Sequence, residues 1–176
     1  MAQPRRPSDA PDFQAALVEV LPHLRAFARS LTRRREQADD LVNDAVVRAL
    51  AAAEQFQTGT SFKAWMFTIL RNLFYNEGRK NRGIVSPDNA DAADQSVAPS
   101  QEATLQFCDF RRAFWQLSDD HREVLILVGA SGLSYEDAAA ICNCAVGTIK
   151  SRASRARGEM IRILSGDALQ DRKSVV

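Results

Sequence analysis

Apolar residues recur at intervals of three and four through most of this chain, the period of helices that bury one face. Phe13, Leu17, Val20, Leu24, Phe27 and Leu31 predict a first amphipathic helix, with Pro22 expected to kink it or to open a new segment. A second helix is expected from about Glu36 to Ala53, with Ala38, Val42, Ala45, Val46 and Ala49 facing inward. Its outward face carries Asp40, Asn43, Asp44, Val47, Arg48 and Ala51. A third starts at the N-cap candidate Ser61 and continues to about Lys80, burying Phe62, Trp65, Met66, Ile69 and Leu73. No strand-like alternation competes with these helices, so this part of the chain reads as a small helical bundle.

The pattern then stops. Residues 83 to 104 contain no Lys or Arg, hold Pro87 and Pro99, and are otherwise mostly Asp, Ala, Ser, Asn and Gln. Such a stretch buries little apolar surface and predicts a flexible acidic linker. The expected organisation is therefore all-α, with a domain at 10–82, a linker at 83–102 and a second domain at 103–166. The first dozen and last ten residues read as loose ends.

In the second domain the stretch Leu133 to Arg157 predicts a helix, a tight turn and another helix. Ser134 and Asp137 have the spacing of a capping box, and Ala138, Ile141 and Cys142 line one side of the first of these helices. Asn143 falls at the turn, and asparagine tolerates the left-handed conformation better than most residues with a side chain. On the following helix Ile149, Ala153, Ala156 and Met160 share an inward stripe. Gly147, Ser151, Ser154, Arg155 and Gly158 lie opposite, with Lys150, Arg152 and Arg157 on the flanks. Small residues let backbone approach a groove while the cations reach phosphates and base edges, the requirement for a helix-turn-helix reader of duplex DNA. A basic solvated surface helix is the plainer alternative.

Charge sharpens this picture. The 176 residues carry a net charge of +1, yet the charges are segregated. Residues 36 to 54 carry Glu36, Asp39, Asp40, Asp44 and Glu54 against Arg48 alone, whereas residues 71 to 82 carry Arg71, Arg79, Lys80 and Arg82 against Glu77. Acidic and basic faces predict separate partners. The third helix also sets Phe67, Arg71, Phe74 and Tyr75 away from its expected core stripe, a mixture able to stack unpaired bases. For Phe67 and Phe74, packing on the first helix is the preferred reading.

Three cysteines, with no secretory leader and no long apolar run, predict a reduced cytoplasmic protein without a membrane span. Cys142 and Cys144 lack further ligands at zinc spacing, and no phosphate loop or nucleophile motif is present. The expectation is a non-enzyme that needs no cofactor or metal.

The phrase AVGTIKSRASRAR resembles the recognition-helix wording of region 4 in sigma factors of the extracytoplasmic function class. DDLVNDAVVRALAAAEQF is similar to the helix with which such factors bind the clamp helices of RNA polymerase, and SFKAWMFTILRNLFYNEGRK to the segment that recognises and melts the minus 10 element. The resemblance runs from about residue 12 to 165. It implies that Asp40, Asn43, Asp44 and Arg48 contact core RNA polymerase. It implies a pocket for a flipped minus 10 base at Phe56, Gln57, Thr58, Gly59, Thr60 and Asn72, with Arg71, Arg79 and Lys80 on the same promoter DNA. It places Thr148, Lys150, Ser151, Arg152, Ser154, Arg155 and Arg157 at the minus 35 element.

FCDFRRAFWQLSDDHREVLILVGASGLSYEDAA resembles one subgroup, the EcfG-type general stress response factors of alphaproteobacteria. That implies a small NepR-like anti-sigma factor and a response regulator that releases the factor by mimicking it. Asn143 stands where the family usually has glycine, and Asn43 where glutamine is common. Two rival readings remain at this level: a conventional helix-turn-helix regulator, and a sigma-like decoy that only captures an anti-sigma factor.

Overall fold

The computed structural model describes the backbone of residues 11–32, 34–57, 59–80 and 101–173, with side chains over 13–32, 34–57, 59–77 and 107–166. Every regular element among them is helical. The chain divides into two compact units, one built on α1 (Pro11–Leu31), α2 (Arg35–Ala51) and α3 (Phe62–Lys80), the other on α4 (Gln101–Gln116), α5 (Asp119–Val124) and α7 (Val146–Lys173). α6 (Tyr135–Cys142) leads into α7 through a tight turn. Most of the expected linker and the first ten residues lie outside the described residues. The expected loose end after residue 166 is corrected in its backbone, since α7 continues to Lys173.

In the first unit α1 is one helix, with Pro22 exposed inside it. The carbonyl that loses its partner there belongs to Val18, itself 68% exposed, so water can satisfy it. Val20, Leu24, Phe27 and Ala28 are buried, as are Leu41, Val42, Ala45 and Ala49 of α2. Thr32 closes the α1 end, its amide donating to the Ala28 carbonyl at 2.9 Å, with Oγ1 3.1 Å from the same oxygen. α3 starts as expected, the Ala64 amide donating to Ser61 Oγ at 3.1 Å. Its deepest face differs from the expected one. Met66, Phe67 and Leu70 are fully buried, whereas Phe62, Trp65, Ile69 and Leu73 are half-buried. Apolar residues occupy several sides of this helix, so spacing alone left its roll undetermined within a residue.

In the second unit Ala113 and Phe114 of α4, with Leu117 just past its end, pack with Met160 and Ile163 of α7. Ser118 caps α5 by accepting from the His121 amide at 3.4 Å. The helix then widens to a π turn over Leu125–Ala130, where the Ser131 amide reaches back to the Ile126 carbonyl at 2.8 Å. Gly132, with φ of 66°, takes the left-handed conformation that ends it. Ser134 Oγ accepts from the Asp137 amide at 2.9 Å, which starts α6 as the capping pattern predicted.

Candidate functional site

The outer face of α2 borders a cleft of about 540 Å³. Asp40, Asn43 and Asp44 line it together with Gln37, Thr32, and Phe74 and Glu77 from α3. Arg48 is exposed one turn further along α2, between Val47 at 66% and Leu50 at 42% exposure. The arrangement combines three carboxylates, two side-chain amides and one aromatic edge. It suits basic side chains backed by apolar contact from a partner. Phe74 and Glu77 join this cleft from a different helix, which spacing along α2 alone could not reveal.

Phe56 follows a short 3₁₀ turn at Ala53–Gln55 and enters an aromatic cluster. Its ring centroid lies 5.2 Å from Phe62 and 5.3 Å from Trp65, and Phe13 adds an edge contact to Phe62 at 5.1 Å. The loop is closed tightly, with Thr60 Oγ1 donating to the Gln57 carbonyl at 2.7 Å and Gly59 at a φ of 92°. Thr58 lies outside the described residues. Asn72 is exposed and falls about two turns beyond Trp65 on the same side of α3. Phe56 and Asn72 therefore border one side of the bundle, separated by Trp65. The half-buried Lys63 has its ammonium pushed below its ordinary range by burial, an effect that the charge of Glu19 opposes. Arg71 stacks over Tyr75 at 4.5 Å. Arg79 and Lys80 close α3, their side chains outside the described set. Phe67 is no base-stacking group: it is fully buried and 4.9 Å from Phe27, in keeping with the packing reading.

Between α6 and α7 Asn143 has a φ of 52°, the left-handed turn expected between the two helices. Ile149, Ala153 and Ala156 are at most 1% exposed, and Met160 is 7% exposed. Ser154, Arg155, Gly147 and Gly158 are exposed opposite them, and Arg157 is exposed on the flank. Thr148 and Ser151 are half-buried, Ser151 Oγ donating to the Thr148 carbonyl at 2.9 Å. The ammonium of Lys150 sits over the Tyr135 ring at the start of α6, 5.7 Å from its centre. Arg152 is engaged by another helix at the surface, with Nη2 2.7 Å from a carboxylate oxygen of the exposed Asp120. About two turns further along α7, Glu159 Oε2 lies 2.8 Å from His121 Nδ1. Neither pair leaves a mark in the sequence, because their partners stand far apart along the chain. Among the described residues no group of three or more His, Cys, Asp or Glu side chains is placed to hold a metal ion, and no helix is long and apolar enough to cross a membrane.

A helical bundle with an acidic outer helix, followed by a helix-turn-helix with a small and cationic outer face, defines a two-part transcription factor. Residues 17–84 match the family model of Sigma-70 region 2, and residues 109–160 that of Sigma-70 region 4. The ECF RNA polymerase sigma factor EcfG of Rhodopseudomonas palustris is 51% identical over 156 residues, covering 88% of this chain and 86% of the relative. The probable RNA polymerase sigma-C factor of Mycobacterium bovis is 33% identical, over 75% of this chain and 72% of its own. Among solved structures, the sigma factor RpoE of Bartonella quintana, in complex with the anti-sigma factor NepR, matches with a TM-score of 0.75 and 46% identity, over 89% of this chain and 98% of that one. The chain belongs to the ECF RNA polymerase sigma factors.

Proposed function

We propose that this sigma factor serves the general stress response and is held in check by a small NepR-like anti-sigma protein. The complex of the RpoE relative with NepR, at 46% identity over nearly the whole length of that relative, supports this reading. The working regions are the domain at 10–82, for polymerase binding and minus 10 melting, and the domain at 103–166, for minus 35 recognition. In the first, Asp40, Asn43 and Asp44 of the cleft meet a basic surface of core RNA polymerase, with Arg48 at the rim. Phe56, the loop 57–60 and Asn72 receive a base flipped from the minus 10 strand, and the cost of unstacking is offset by capture in the protein. Arg71, Arg79 and Lys80 follow the same strand.

In the second domain Ser151, Ser154 and Arg155 meet base edges of the minus 35 element while Thr148, Lys150 and Arg157 meet phosphates. The observation that carries this is the division of α7 into a fully buried Ile149–Ala153–Ala156 stripe and an exposed Ser154–Arg155 face, with Arg157 exposed on the flank. Two weak sites on one chain raise each other's effective concentration, so polymerase and both promoter elements are held together. The chain itself performs no chemistry and works in the cytoplasm, directing a polymerase that does. Transcription reconstituted from core polymerase, this chain and a cognate promoter tests the proposal; a NepR-like protein should abolish the transcript.

A further inference from the structure

α5 is short but firmly seated. Its start is capped by Ser118, and the buried Arg122 donates to the Leu117 carbonyl at 2.6 Å, pairs with Asp119 and lies 4.6 Å from the Trp115 ring centre. From this support two consecutive side chains reach α7: Asp120 to Arg152 and His121 to Glu159. Arg152 and Glu159 stand about two turns apart on one side of α7. The stripe that α7 buries is partly alanine, at Ala153 and Ala156. Alanine permits close approach but offers no projecting side chain to resist rotation of a helix about its axis. Polar clamps fixed at two heights supply that resistance. The Asp120 pair also occupies the guanidinium of Arg152, which lies only a few residues along the helix from Ser154 and Arg155.

We infer that Asp120 is a positioning residue for promoter recognition: through Arg152 it fixes the roll of α7 and withholds that cation from sequence-independent phosphate contact. This rests on the reading of α7 as the minus 35 helix, and it gives Arg152 a structural role in place of a direct DNA contact. Loss of the carboxylate then has two consequences of opposite sign. The unclamped helix presents Ser154 and Arg155 less accurately, which weakens specific binding. The released guanidinium gains a phosphate, which strengthens binding to any sequence.

The test measures the full-length chain on a duplex carrying its minus 35 element and on a scrambled duplex, over a series of salt concentrations. Asp120→Asn should lower the ratio of specific to scrambled affinity about fivefold, the size expected from an ion pair at a protein surface. It should also steepen the dependence of log K on log salt for scrambled DNA by about 0.9. Asp120→Glu should behave as wild type. In an Arg152→Ala background Asp120→Asn should change neither quantity. An unchanged ratio, or a change that persists without Arg152, overturns the inference and leaves the helix assignment standing. Failure of the wild-type chain to distinguish the two duplexes would instead overturn the reading of α7, and the inference with it.

Discussion

The rings of Phe27 and Phe67 lie 4.9 Å apart at an interplanar angle of 30°, joining α1 to α3 where both side chains are fully buried. Phe67 belongs to a helix otherwise read as nucleic-acid binding, yet its contact makes it a core residue. Phe67→Ala should destabilise the bundle by about 3–5 kcal/mol, seen as a lower midpoint in denaturant unfolding. A loss of DNA opening with unchanged stability would contradict that placement.

Phe56 and Asn72 should separate in the same kind of measurement. Phe56 touches Phe62 and Trp65, so Phe56→Ala should reduce both stability and strand opening. Asn72 is exposed, and Asn72→Ala should leave the unfolding midpoint within about 0.5 kcal/mol of wild type. Permanganate reactivity of unpaired promoter thymines should nonetheless fall. Normal opening by Asn72→Ala would remove it from the base pocket.

At the turn between α6 and α7, Asn143 stands at a φ of 52°. Asn143→Gly should be neutral or stabilising, because glycine adopts this conformation without steric cost. Asn143→Val should cost about 1–2 kcal/mol, since a β-branched side chain is strained there. Thermal unfolding of the two variants checks this ordering.

Arg155 and Arg157 are both exposed on α7, but on different sides. Arg155→Ala should weaken minus 35 binding by about 1–3 kcal/mol and relax preference at one base pair, whereas Arg157→Ala should weaken all sequences alike. Binding to a panel of single-base promoter variants distinguishes them. Equal, sequence-independent losses would remove Arg155 from base readout.

The helix-turn-helix was legible because each of its parts leaves a local mark: a serine at the cap, an asparagine at the turn, and a stripe of Ile149, Ala153 and Ala156. α3 was legible as a helix but not in its roll. With Phe62, Trp65, Phe67 and Phe74 on several sides, only packing against Phe27 decides which ring goes deepest. The cleft beside Asp40 and Asp44 was half legible, since its acidic wall lies on one helix while Phe74 and Glu77 come from another. The Asp120–Arg152 and His121–Glu159 pairs were not legible at all. Each joins α5 to α7 across the intervening π turn and α6, where no short-range periodicity connects the partners.

In the proposed function the acidic face of α2 brings core polymerase to a promoter chosen by this chain. Asp40 and Asp44 are exposed and one turn apart, so reversing both to Arg should leave the bundle folded while setting like charges against a basic partner. The most direct measurement is run-off transcription with purified core polymerase, alongside circular dichroism of each protein. Wild type should bind core enzyme and yield a promoter-specific transcript, and the double reversal should lose both while keeping its helical content. If the wild-type chain fails to bind core polymerase yet still captures an anti-sigma protein, it is a decoy and the proposed function is overturned.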